Sequence, residues 1–194
     1  MFIVKFILNL LHINFMKKYL PLAWIILRFL VLYFILTALY QYYLNYYNQT
    51  LNTTDFFTDV MACQCKMILG LFGIQVDIIQ EMGKHYVWLF FNNTYVASVN
   101  EGCNGVSVMI LFVSFVLGFY KGYKKTFSFM FIGVLIIHVS NIIRGSFLSY
   151  IYFKYPEYKH ITHDFVFPII IYLVILALWF YWMKKVVLKE NKGE

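Results

Sequence analysis

The run from Pro21 to Tyr40, PLAWIILRFLVLYFILTALY, carries one charge in twenty residues. A helix of that length is about 30 Å long, which matches the hydrocarbon core of a bilayer. In that medium each backbone N–H and C=O must find a partner within the segment or in a closed barrel, so an isolated run of this kind is read as a helix. Three more runs have the same character: Gly105–Tyr120, Thr126–Ser149 and Phe165–Met183. The last ends in WFYWMKK, an aromatic belt followed by a basic flank. With 62% hydrophobic and 13% charged residues, the 194-residue chain lies well outside the range of soluble domains. It is too short to hold a separate soluble domain of ordinary size beside four spans. The expectation is one membrane domain over residues 1–194, an all-α integral membrane bundle of about four transmembrane helices.

The net charge of +7 would suit a nucleic-acid binder if it lay along one solvated face. It is instead gathered at the ends of apolar runs, which reads as a topology signal and points to no nucleic acid. Ten lysines flank one set of ends: Lys5, Lys17 and Lys18, then Lys121, Lys124 and Lys125, then Lys184, Lys185, Lys189 and Lys192. Three flank the other, Lys84, Lys154 and Lys159. By the positive-inside rule both termini are cytoplasmic, which requires an even number of spans in the cytoplasmic membrane. The first run is longer than a signal-peptide core and no small-residue cleavage site follows it, so it is read as an uncleaved helix. The residues before Met16 are read either as an interfacial helix or as preceding a natural beginning at MKKYLPLAWI.

Between the first two clear spans the pattern is mixed. Val60–Ile79 is apolar but includes Gln64, Lys66, Gln75 and Asp77, which suggests an interfacial or re-entrant helix. Tyr86–Glu101 has strand-like runs on both sides of Asn92-Asn93-Thr94, which suggests a small extracytoplasmic hairpin. Three cysteines, Cys63, Cys65 and Cys103, make no disulfide framework.

Three of the apolar segments deliver a reactive or charged side chain to one membrane depth, the outer face. Cys103, in NEGCNG, precedes the second span, where the unpaired N–H groups of a helix start favour thiolate and can receive an oxyanion. Arg144 lies eighteen residues after Thr126, about 27 Å along the third span. His163, in HITHDF, precedes the fourth. Each has an ordinary alternative: a small packing residue, a snorkelling cation, a solvated loop histidine. Together they suit acyl transfer, with a thiol nucleophile, an imidazole to take its proton and give one to the leaving amine, and a fixed guanidinium for the oxyanion or substrate backbone. Gly102, Asn104, Gly105 and Asn141 are supporting candidates. The glycines would let a substrate backbone approach, and Asn141, on the Arg144 face, would orient the guanidinium. No metal-ligand spacing or cofactor motif is present, so neither a metal nor a cofactor is expected.

The ordered combination of EGCNG before one span, NIIR near the end of the next and a histidine before the following one resembles the exosortase/archaeosortase family of membrane transpeptidases, in its short single-domain form. The resemblance covers about Val60 to Met183. It implies that Cys103 is the nucleophile, that Arg144 and a histidine, His163 ahead of His160, complete the site, and that substrates are exported proteins ending in a recognition motif, a transmembrane helix and a basic tail. The site would then face outward at the bilayer surface. The competing expectation is a non-enzymatic polytopic scaffold for envelope assembly.

Overall fold

The computed structural model describes residues 2–187 apart from Met82. The first helix, α1 (Phe2–Asn45), runs without a break through Pro21 and continues as a π-turn over Tyr46–Leu51. The helix α3 (Val106–Gly118) leads away from the Cys103 turn, and α4 (Tyr123–Lys154) returns alongside it. Short turns at Pro156–Tyr158, α5 (Lys159–Ile161) and a π-turn at Thr162–Val166 then lead into α6 (Phe167–Trp182). Among the described residues, three segments are long and apolar enough to cross a membrane: Tyr19–Leu51, Tyr123–Lys154 and Pro156–Lys185. The run expected to span at Gly105–Tyr120 forms a helix of only 13 residues, about 20 Å long. Its ends explain the shortness. Gly105 enters it at φ 82°, and Phe119 and Gly122 leave helical geometry directly after it.

The helix expected across Val60–Ile79 is corrected: the segment is a helix, α2 (Phe56–Leu71), that stops at a glycine and becomes a strand, β1 (Val76–Gln80). Gly73 sits at φ 76° and donates to the Gly70 carbonyl at 3.0 Å, while Ile74 N–H reaches back to Leu69 at 3.1 Å. This is the paired capping arrangement in which a left-handed residue closes a helix C-terminus, and glycine adopts it without a Cβ penalty. Beyond it Ile74, Val76 and Ile78 alternate with Gln75 and Asp77, a period of two. The hairpin partners are β2 (Tyr86–Phe91) and β3 (Thr94–Asn100). They are joined by Asn92 and Asn93, both at positive φ, the tight turn whose twist matches a hairpin. The mostly helical fold therefore carries a three-stranded antiparallel sheet, in the order β1-β2-β3, at one end.

Two cores result. At the sheet end Val87, Leu89 and Phe91 of β2 pack with Met61, Ala62 and Cys65 of α2 and with Ile142, Leu148 and Tyr152 of α4. Farther along the bundle Phe112 and Val116 of α3 meet Ile137 of α4 and Ile171, Ile175 and Trp182 of α6. Trp182 donates its indole N–H to the Phe119 carbonyl, so the far end of α6 closes on the α3–α4 turn. The remaining faces of α1, α4 and α6 leave side chains such as Phe34, Phe131 and Phe180 exposed, as apolar surface for lipid. Gly133 of α4 lets α3 come close: a Cβ there would lie 2.2 Å from Cζ of the fully buried Phe112. Gly133→Ala is expected to destabilise the protein by about 1–3 kcal/mol through overpacking. Thermal unfolding in detergent would measure it, and adding Phe112→Leu, which frees the space, should recover part of the loss.

Candidate active site

Cys103 stands in the turn between β3 and α3, partly exposed, with its N–H donating to the Asn100 carbonyl at 2.9 Å. Directly beneath it Asn104 is 2% exposed and fully engaged. Its Nδ2 donates to the Tyr40 hydroxyl at 2.8 Å and to Thr58 Oγ1 at 3.1 Å, and its Oδ1 accepts the Val106 N–H at 3.0 Å. Thr58 is in turn bonded to Asp55, the N-cap of α2, whose Oδ1 accepts from Phe57 and Thr58 N–H. Asn104 is thus a buried tie between α1, α2 and the start of α3, not a group that faces substrate.

Asn141 differs from its expected part too. Its Nδ2 donates to the Cys103 carbonyl at 2.9 Å, with Met61 Sδ at 3.0 Å, so it tethers α4 to the cysteine turn instead of orienting Arg144. Gly105 answers to the same contact: a Cβ there would lie 2.8 Å from Asn141 Nδ2. Its missing side chain makes room for the asparagine, not for a substrate backbone. Gly102 is exposed, and a Cβ on it would meet only Asn100 Oδ1 at 3.4 Å. The helix-start donors are also partly spent, because Val106 N–H goes to Asn104 and Cys103 N–H to Asn100.

Cys103, Arg144 and both candidate histidines line one cavity of about 370 Å³ between β3, the C-terminal part of α4 and the turns that follow it. On α4, Arg144 is followed by Gly145, Leu148, Ser149 and Tyr152 along the same wall, a spacing that keeps one helix face toward the cavity. The Arg144 Nε–H and the Tyr152 hydroxyl are buried without a hydrogen-bond partner. Unpaired buried donors are unfavourable, so Arg144 and Tyr152, which line the cavity with Cys103, each keep a donor unspent. His163 Nδ1 lies 2.7 Å from Asp164 Oδ1, while His160 Nδ1 is 3.9 Å from the other carboxylate oxygen. A carboxylate neighbour favours the tautomer that carries its proton on Nδ1, with Nε2 as the acceptor. The His160 side chain is 95% exposed and that of His163 56%, so His163 is the better held of the two.

Asp164 and Tyr152 were not singled out by sequence. Asp164 had a signal, its position directly after a candidate histidine. Tyr152 had none among so many tyrosines. The second cysteine on this side, Cys65, is fully buried, and burial pushes its thiol up to about 11, with the nearby Cys103 adding to the effect against Ser146 and Arg144. It is chemically quiet at neutral pH.

Below the site, Asp59 on the first turn of α2 has its carboxyl raised from 3.8 to about 6, by burial first and then by the charge of Asp55. The folded protein therefore holds this proton more tightly than the unfolded chain. The group's contribution is most favourable below about pH 4 and is lost as pH rises through about 6. Asp59→Asn should remove that slope and raise the unfolding temperature at pH 7. Unfolding curves of both proteins from pH 4 to 7 would check it, and parallel curves would contradict the assignment.

A family model described as transmembrane exosortase matches residues 2–182. No curated protein and no solved structure matches the chain.

Proposed function

The chain belongs to the transmembrane exosortase family, and on that premise we propose that it is a membrane-embedded cysteine transpeptidase or protease. It cleaves the C-terminal sorting signal of exported proteins near the outer face of the cytoplasmic membrane, with both of its own termini cytoplasmic. Its substrate carries a recognition motif, a transmembrane helix and a basic tail. The observation that carries this reading is the cavity shared by Cys103, Arg144 and His163.

The steps follow from the side chains. Nε2 of His163 takes the Cys103 proton, and Asp164 on Nδ1 holds the ring in orientation. The sulfur bonds to the scissile carbonyl carbon, and the oxyanion is received by Arg144, with the Tyr152 hydroxyl as a second donor. Backbone amides nearest the thiol are less suited, since two of them are committed elsewhere. The C–N bond breaks as His163 returns its proton to the leaving amine, which departs with the transmembrane helix. The thioester then passes its acyl group to water, an amine or another acceptor, and Cys103 is regenerated.

Cys103→Ala should leave the protein abundant, because losing one partly exposed sulfur in a turn removes little packing, while uncleaved substrate accumulates. Cys103→Ser should be nearly as inactive, since a hydroxyl is far harder to deprotonate. The check is an immunoblot for substrate length beside one for the enzyme. Normal cleavage in a Cys103→Ala strain would leave the scaffold reading in its place.

Arg144 can be examined without a natural substrate. Acylation of Cys103 by p-nitrophenyl acetate passes through an oxyanion, whereas alkylation by iodoacetamide does not. Arg144→Lys keeps the positive charge but loses the planar fork. It should slow acylation by about tenfold or more, equivalent to about 1.4 kcal/mol, and leave alkylation unchanged. Equal acylation rates would reduce Arg144 to an anchoring charge.

A further inference from the structure

The β3 side of the cavity is formed by Tyr95, Ala97, Ser98 and Val99. Side chains of a strand alternate between its faces, and the register assigns these four to both. Ala97 and Val99 pair with Leu89 and Val87 on the buried face. Ser98 pairs with Trp88 and, across the bulge, Tyr95 with Phe90, on the aromatic face. A space bordered by both faces of one strand meets that strand edge-on. One edge of β3 is bonded to β2, and among the described residues no strand lies on the other. The cavity therefore borders that unpaired edge, and Cys103, in the turn that follows β3, lines it too.

We infer that this edge is a peptide-docking site. The segment of the exported chain before the scissile bond enters the cavity as an extended strand, bonded main chain to main chain with β3. The inference rests on the cysteine transpeptidase reading above and adds to it how substrate is held. An open edge presents a row of unused N–H and C=O groups, and strand addition draws affinity from those groups whatever the side chains are. Side-chain selectivity is then left to alternate positions, in a cavity whose other lining includes Arg144 and Ser149 of α4. Direction follows from connectivity. β3 leads to Cys103 and on into α3, and a substrate whose cleavage segment precedes a membrane helix runs the same way. The added strand is therefore parallel to β3, and its alternate residues make the bonds.

Because main-chain recognition needs no particular sequence, a featureless probe can test it. Acetyl-tetraalanyl chloromethyl ketone alkylates a thiol with loss of chloride, and chloroacetone carries the same reactive group without a peptide. Both would be applied to the full chain in detergent, with labelling at Cys103 located by peptide mapping. The peptide reagent should label Cys103 at least about tenfold faster, the effect of two or three net hydrogen bonds. N-methylation of alternate peptide nitrogens should abolish the gain, and N-methylation of the intervening ones should spare it. No gain over chloroacetone, or a loss without alternation, would overturn docking on the β3 edge while leaving Cys103 as a nucleophile. Failure of both reagents at Cys103, in protein still labelled at the exposed Cys63, would overturn the cysteine reading itself. The variation lies in the probe, so no outcome can be attributed to a misfolded variant.

Discussion

One buried amide holds the Cys103 turn in place. Asn104 bonds at once to Tyr40 near the end of α1, to Thr58 at the start of α2 and to the first N–H of α3. In a chain of this composition the packing surfaces are largely interchangeable, since lipid is as apolar as leucine and supplies little force between helices. Specific register has to come from directed contacts, and buried hydrogen bonds are strongest where water does not compete. Asn104 sets the height of three helices relative to one another, and the residue before it is the candidate nucleophile. Asn141 performs the corresponding task from α4 through the Cys103 carbonyl.

That construction has a consequence for the chemistry. A cysteine at the start of a helix would ordinarily be expected to use the helix's free amides for an oxyanion. Here the amides that fix the turn are consumed in fixing it: Val106 N–H is bonded to Asn104 and Cys103 N–H to Asn100. Arg144 and Tyr152 of α4, which line the same cavity, each have a buried polar atom without a partner among the described residues. On the proposed reading, rigidity of the nucleophile and electrophilic assistance are thereby divided between two elements, and Asn141 joins them.

The long apolar runs and the glycine-bounded cysteine turn were legible because they depend on local rules of span length, period and flanking charge. The end of α2 was not read, although its signal was local as well. Gly70 and Gly73 followed by IQVDII mark a helix stop and a strand, but the apolar content of the whole stretch masked the change of period from 3.6 to 2. The tasks of Asn104, Gly105 and Asn141 were illegible for a different reason. Each is defined by a partner 36 to 80 residues away, and a single sequence does not show which polar side chain meets which. Asp164 beside His163 could have been noticed, since a carboxylate next to an imidazole is a recurring way to fix its tautomer.

The two sides of the cavity are held very differently. Cys103 and Arg144 border a packed junction, where Asn141 bonds the cysteine turn and a Cβ on Gly145 would lie 2.6 Å from Met61 and 3.1 Å from Cys65. His163 and Asp164 are both more than half exposed, on a segment secured by fewer contacts: Thr162 to the Tyr158 carbonyl, and Lys159 over the Tyr152 ring. Local stability follows the density of buried contacts. On the proposed reading, the group that forms and breaks a covalent bond is therefore on the better-held side of the cavity, where small displacements cost the most rate. The group proposed to move a proton is on the more exposed side, open to solvent. It follows that substitutions in the Asn104–Asn141 framework should lower abundance and activity together, whereas those at His163 or Asp164 should lower activity alone.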